Sequence, residues 1–387
     1  MNYQNNLYTS LIKLVEESKN EKRSTFVFKD VDCLIDPNFT YRIFNYQLPK
    51  YSDFLKDAAM QCRGTMFRIN KTTKEFELVS LPMDKFFGLG ENPSTMNIQL
   101  EDIKEAYVKE DGSLLSSYVT VDGKLGLKSK SEPVFAFNTV VREYLSQHPV
   151  LNDNLLKLSQ DGYTVDLEFV SLDNRVILEY KEPALHILNI RSNKDGSYID
   201  FRNKDFLSQY PIEDYLVKAL DLSLFEDLGK NNKYLSLSDI EGAVVRLKDG
   251  RLVKIKTEWY MSQHNYVNIQ DFSKAGEKLF MVVMNEATDE LRSLLHYRDN
   301  SPNFKLKEKL ALIDKAETTI LNEYNSFISE IGGFMEKYQH LDDKSFMEAV
   351  KTHLSNDKIK IVMPLYKGKI DSLKDSFILN YQRKIKI

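Results

Sequence analysis

Little in this chain points to a resident cofactor, a membrane or a secretory route. Cys33 and Cys62 are the only cysteines in 387 residues. They have no metal-ligand spacing and suggest no disulfide framework, so a reducing compartment is expected. The six histidines (His148, His186, His264, His296, His340 and His353) show no paired metal spacing. No apolar run approaches the ~20 residues that span a bilayer. The N-terminus has no cationic start followed by an apolar block. Leu7, Leu11 and Leu14 recur at helical spacing there, so it reads as an amphipathic helix and not as a signal peptide. A Gly-rich P-loop is missing, and Gly88-x-Gly90 lacks the residues that complete a dinucleotide fingerprint. Positive charge is not in excess: 53 Lys and Arg stand against 57 Asp and Glu, a net charge of −4. That excludes a global basic field, although a local patch can still hold a nucleic acid.

What is present is ordinary for a soluble globular protein: 42% hydrophobic and 28% charged residues, in a length that suits two or three domains. The pattern changes along the chain. From about residue 24 to 260 it is strand-rich. "YTVDLEFV" (163–170), "NRVILEY" (174–180) and "ALHILNI" (184–190) alternate, and Asp122-Gly123, Asp195-Gly196 and Asp249-Gly250 read as hairpin turns. After about residue 265 apolar residues recur at helical spacing. One helix is expected over 277–297 and another over 304–338, broken at Gly332-Gly333. The expected architecture is α+β: an antiparallel-sheet body over 1–262, then an all-helical domain over 263–387.

Within the body, "YVKEDGSLL" (107–115) carries Lys109 two residues before Asp111-Gly112. A Lys-x-Asp-Gly string alone carries little weight, because chance supplies it often. The other Asp-Gly pairs are a control: none has a lysine at that spacing. Two further lysine pairs, Lys254 with Lys256 and Lys128 with Lys130, each fall on one face of a strand. Such faces are usually solvated. Asp166 and Glu168 also share a face, opposite Tyr163, Val165, Leu167 and Phe169. If these faces line one cleft, lysines and carboxylates together would suit a polyphosphate and a divalent metal.

Eight ordered blocks carry a resemblance over most of the chain: "TYRIFNY" (40–46), "QCRGTMF" (61–67), "LPMDKFFGLGENP" (81–93), "VKEDGSL" (108–114), "LKSK" (127–130), "LEFV" (167–170), "EGAVV" (241–245) and "VKIKTEWY" (253–260). In order and interval they resemble the RNA ligase 1 family of covalent nucleotidyltransferases. The resemblance implies an ATP-dependent RNA ligase that works through lysyl-AMP and adenylylated RNA, with Mg2+ or Mn2+. Each step is a phosphoryl transfer, which rests on positioning and charge stabilisation.

The resemblance also implies roles. Lys109 matches the nucleophile. Lys254 and Lys256 match lysines near the α-phosphate, whose charge would help deprotonate Lys109. Glu241 matches a residue linked to catalysis and metal, followed by Gly242. Glu168 matches the acceptor of the ribose hydroxyls, Val244 would wall the adenine, and Gly112 would allow close approach to the nucleotide. Tyr46, Arg63 and Lys85 match residues that orient the β- and γ-phosphates, with Phe87 packing against Lys85. Lys130 matches an essential lysine of unassigned role. Asp289 aligns with a metal-binding aspartate; a plain carboxylate at a helix N-terminus is the other reading.

Some features depart from the family or stay open. Ala243 stands where the family carries an aromatic, which would alter the nucleotide pocket. The helical domain matches loosely beyond about residue 297. From Lys351 onward nine Lys and Arg face three Asp, either a patch for RNA or a solvated helix face. A capping-type guanylyltransferase would need a β-barrel after residue 260, and an inactive RNA-binding relative would be expected to lack Lys109 or Glu241. The resemblance further implies RNA ends as substrate, such as a nicked tRNA anticodon loop, and a functional partnership with a kinase-phosphatase. A monomer in the cytoplasm, the host's if the chain is phage-encoded, and no membrane association complete the expectation.

Overall fold

Alternating apolar residues in the first two thirds of the chain build three sheets, seen in a computed structural model. The structure describes residues 2–20, 24–133, 138–172, 174, 176–225, 232, 234–263, 276–289, 291–292, 295, 306–370, 372–382 and 384. In chain order the strands are β1 (Phe26–Asp32), β2 (Phe39–Tyr46), β3 (Met66–Asn70), β4 (Phe76–Ser80), β5 (Phe87–Gly88), β6 (Ile103–Lys109), β7 (Ser113–Val119), β8 (Leu125–Lys128), β9 (Tyr163–Val170), β10 (Ala184–Ser192), β11 (Ala219–Leu220), β12 (Gly242–Leu247) and β13 (Leu252–Lys256). They pair as β1-β2-β3-β4, as β10-β9-β7-β8 and as β11-β6-β12-β13-β5. Every pairing is antiparallel except β13 with β5.

Helices cover the apolar faces. Helix α1 (Tyr3–Asn20) buries Leu7, Leu11 and Leu14 in a cluster with Phe44 and Phe67 of the first sheet. Helices α2 (Asn138–Gln147) and α3 (Pro149–Gln160) place Val141, Leu151, Leu155 and Leu158 against Leu115, Val165, Leu167 and Phe169. The second sheet thus buries one face on helices, and its other face is left for polar residues.

By contacts the chain divides into two units, Met1–Gln263 and His264–Ile387. In the second unit the described secondary structure is helical, including Gly276–Met284, Leu306–Phe327, Asp343–His353, Asn356–Tyr366 and Leu373–Tyr381. The architecture is therefore the expected α+β body followed by helices.

Three local expectations are corrected. Residues 176–180 form bends and irregular backbone and not a strand. The amides of Ile177 and Leu178 donate to the Asp111 carboxylate, at 2.8 and 2.7 Å, and so have no strand partner to seek. The helix expected over 277–297 ends at Met284 and turns at Asn285 and Glu286, where φ of Glu286 is +56°. Its apolar period runs on because Leu279, Val283, Ala287, Leu291 and Leu295 are buried on both sides of the turn. Gly332-Gly333 does not break the next helix. A π-helical turn at Ile328–Gly332 absorbs the irregularity, and helix continues to Tyr338. Leu373 lies 3.2 Å from where a Gly332 Cβ would stand, so the glycine admits a neighbouring helix.

Candidate active site

The register of the third sheet sets a row of chemistry. Gly242 at the start of β12 pairs with Lys109 on β6 and with Lys256 on β13. Two residues on, Val244 pairs with Tyr107 and Lys254. Residues two apart on a strand share a face, so Lys109, Val244, Lys254 and Lys256 project together. Glu241 directly precedes this row and is 3% exposed. Its carboxylate lies 2.9 Å from Lys109 Nζ and 3.2 Å from Lys256 Nζ. Gly242 is required here: its φ is +150°, and a Cβ would fall 2.0 Å from the Ile255 carbonyl oxygen. Ala243 is fully buried between Val108 and Ile255, on the opposite face from Val244. The expectation that Ala243 alters the nucleotide face is thereby corrected, because alternation turns its side chain away.

The charges around Lys109 also differ from expectation. Burial pulls its pKa down, but the carboxylates of Glu241 and Glu168 outweigh burial, and the net shift is upward. Lys254 opposes them only weakly. Glu241 thus favours the ammonium form of Lys109, while Lys254 favours the neutral form. Burial pushes Glu168 up to about 7, with Lys109 pulling it down and Glu241 pushing it up. Glu168 Oε1 accepts from the amide of Gly112 at 3.1 Å.

Lys254 meets a residue that the sequence reading passed over. Glu91, in the quoted block "GLGENP", lies 3.8 Å from Lys254 Nζ and accepts from the Gly88 amide at 2.5 Å. The Leu89 amide donates to the Lys254 carbonyl at 2.9 Å. One tight turn thus holds both backbone and side chain of Lys254. In the sequence only the carboxylate directly after Gly88-x-Gly90 was visible; its burial beside Lys254 was not.

Asp111 was also missed. It is 3% exposed; it accepts from Tyr260 Oη at 2.6 Å and from the two amides of 177–178. Gly112 has a reason other than the expected one. A Cβ there would stand 2.2 Å from the Phe169 carbonyl oxygen, so the close approach it allows is to β9.

A second group contains the residues matched to the ATP tail. Arg63 Nη1 is buried with no hydrogen-bond partner among the described residues, as a guanidinium awaiting an anion would be. Lys85 Nζ lies 5.1 Å above the ring of Phe87, which packs in the core with Phe54 and Tyr46. Tyr46 is buried, and Lys130 Nζ sits 4.1 Å above its ring. Lys128 corrects its expected face: it is wholly buried, donates to the Ser129 carbonyl at 2.9 Å, and burial lowers its pKa to about 7.

Asp289 belongs to the second unit and pairs with Arg292 at 3.5 Å; Arg292 also holds Asp314 and Glu317. Among the described residues no three His, Cys, Asp or Glu side chains gather as a metal cage. A hard divalent ion needs fewer from the protein, since Mg2+ is commonly held by one or two carboxylates plus substrate phosphates. Glu241 fits: its Oε2 is buried, and the contact with Lys109 does not satisfy it as a hydrogen bond.

The chain is similar to several known proteins. The profile of a family described as RNA ligase, of the T4 RNA ligase 1 type, matches residues 61–260, more than half of the chain. A candidate RNA ligase of Thermovibrio ammonificans is 25% identical over 338 residues, covering 84% of this chain and 82% of that protein. Among solved structures, an archaeal ATP-dependent RNA ligase covers 93% of each chain at 11% identity and a TM-score of 0.46. A Naegleria gruberi RNA ligase variant with ATP and Mn covers 48% of this chain and 60% of its own, at 17% identity and a TM-score of 0.35. With its profile match running from the block at Arg63 to Tyr260, the chain belongs to the RNA ligase 1 family.

Proposed function

We propose that the protein joins RNA 5′-phosphate and 3′-hydroxyl ends with ATP, through lysyl-AMP and adenylylated RNA. The observation that carries this reading is the row Lys109–Gly242–Lys256 across three strands, with the Glu241 carboxylate between the two ammonium groups. Lys109 Nζ bonds to the α-phosphorus of ATP, the bond to the bridging oxygen breaks, and pyrophosphate leaves. A 5′-phosphate oxygen of RNA then takes the AMP and frees the lysine. The 3′-hydroxyl finally attacks that phosphate, and AMP leaves.

Each residue has a matching task. Lys109 must lose a proton before attack, and Glu241 is the carboxylate in contact with it. Lys254 and Lys256 would face the position where negative charge develops. Val244 lines the same face and would meet the adenine, and Glu168 would read the ribose. Arg63, Lys85 and Tyr46 would hold the β- and γ-phosphates, with Lys130 beside Tyr46. Glu241, with Glu168 nearby, would hold Mg2+ or Mn2+; when bound, the ion supplies positive charge at the phosphates. Asp289 is a weaker candidate for metal, because Arg292 already neutralises it.

The substrate proposed is a broken tRNA anticodon loop, made ready by a kinase-phosphatase, in the cytoplasm, with the ligase acting as a monomer. Family membership supports an RNA substrate. No described helix is long and apolar enough to cross a membrane. Incubation with radiolabelled ATP or GTP, followed by a denaturing gel, tests the chemistry. A covalent AMP adduct that discharges onto 5′-phosphate RNA is expected. A GTP adduct, or none, would sink the reading. Equal sealing of unstructured RNA and a nicked anticodon loop would remove the tRNA assignment.

A further inference from the structure

Asp166 stands two residues before Glu168 on β9 and is fully buried. Burying a carboxylate is unfavourable unless its oxygens are satisfied. Here both are used. Oδ1 accepts from Ser116 Oγ at 2.7 Å, and Oδ2 accepts from the Met83 amide at 2.7 Å. Two residues earlier, the Leu81 amide donates to Thr164 Oγ1 at 2.8 Å. The segment 81–85 is therefore pinned to β9 at alternate amides, and it ends on Lys85. The Lys85 amide itself donates to the Met60 carbonyl at 3.0 Å, close in sequence to Arg63. The charges of Arg63 and Arg191 both favour the ionised Asp166, which burial opposes. Lys109 belongs to a different set: the charges that act on it are Glu241, Glu168 and Lys254.

We infer that Asp166 is a positioning residue for the tail of the nucleoside triphosphate, holding the backbone that carries Lys85. The inference rests on the RNA ligase reading and deepens it. The tail departs as pyrophosphate in the first step. Asp166 therefore acts in adenylylation of the enzyme and not in the final joining of RNA ends. A merely structural carboxylate would weaken both steps together.

The test separates the steps. Wild type, Asp166→Asn and Ser116→Ala are compared for covalent AMP labelling across ATP concentrations. The same proteins are then given pre-adenylylated RNA without ATP. Asn keeps the shape and removes the charge, so half-saturating ATP should rise about ten-fold or more, as for other residues that orient a binding group. Sealing of pre-adenylylated RNA should be unchanged. Ser116→Ala frees one Asp166 oxygen and should move ATP dependence the same way by less. An unmoved ATP dependence, or sealing lost in proportion to labelling, overturns the inference. If circular dichroism shows Asp166→Asn unfolded, Ser116→Ala decides: a rise in half-saturating ATP with intact sealing supports the role, and no rise overturns it. If wild type itself takes no label from ATP, the ligase reading has failed, a result distinct from any outcome in the variants.

Discussion

Lys254 and Lys256 stand two residues apart on β13; Lys128 and Lys130 stand two residues apart at the end of β8. In sequence the pairs are equivalent. In the fold Lys254 and Lys256 keep one face, and each meets a carboxylate, Glu91 or Glu241. Lys128 and Lys130 part company. Lys128 lies inside the body with its pKa lowered by burial, and Lys130 leaves the strand for the ring of Tyr46. The difference is one of surroundings. β13 has polar partners across its open face, whereas the end of β8 is covered, with Lys128 Nζ 3.1 Å from where a Gly64 Cβ would be. The same spacing sets two lysines beside carboxylates on one strand face, and buries one lysine inside the body on another.

That contrast can be broken at several points. The largest effect is expected at the residue the open pair serves. Lys109→Ala should abolish covalent AMP labelling while circular dichroism stays native; label surviving on a denaturing gel would remove Lys109 as nucleophile. Next come Lys254→Ala and Lys256→Ala, each removing a charge where it develops in the transition state. A loss of roughly 10²–10³ in labelling rate is expected, larger than any change in ATP affinity. Labelling at the wild-type rate would mean that this pair is as structural as Lys128.

Lys128 sharpens the comparison through stability. Burial lowers its pKa to about 7 from an ordinary 10.5. Below about pH 7 the lysine is charged in both folded and unfolded chains. Between about 7 and 10 the unfolded chain still binds the proton that the folded chain has released. Lys128 therefore makes stability rise with pH across that window. Melting temperatures of wild type and Lys128→Met from pH 7 to 10 should diverge, with the variant lacking this rise. Parallel curves would show that the buried ammonium never gives up its proton.

The smallest effect on the first step is expected from removing the second unit. A fragment of residues 1–263 retains every strand of the site row, so a folded fragment should label with AMP as the whole chain does. Its sealing of structured RNA should fall, more steeply at higher salt, if the helical unit supplies backbone contacts. Absence of labelling in a folded fragment would show that the first step needs the helices.

The ordered blocks and their alternation made the sheets, the helical second unit and the row of Lys109, Glu241, Lys254 and Lys256 legible in advance. Strand period and turn residues are local signals. Four of the five Asp-Gly pairs show where local signals stop. Asp195 and Asp249 accept from amides two residues away, and Asp122 accepts from the Thr120 hydroxyl two residues before it, as turn aspartates do. Asp111 accepts from residues 66, 67 and 149 positions away. The same dipeptide marks a hairpin in three places and a long-range clasp in the fourth.

By itself the sequence determined most of the strands and the alternation of residue types along them, because these follow from period and chirality along a short stretch. Only the tertiary structure decided which faces are open, and therefore which charges meet. Glu241 reaches Lys109 across 132 positions of chain, Met83 reaches Asp166 across 83, and Glu91 comes back onto Lys254. A carboxylate a few ångströms from an ammonium, out of water, changes what both can do, and no local pattern records that distance.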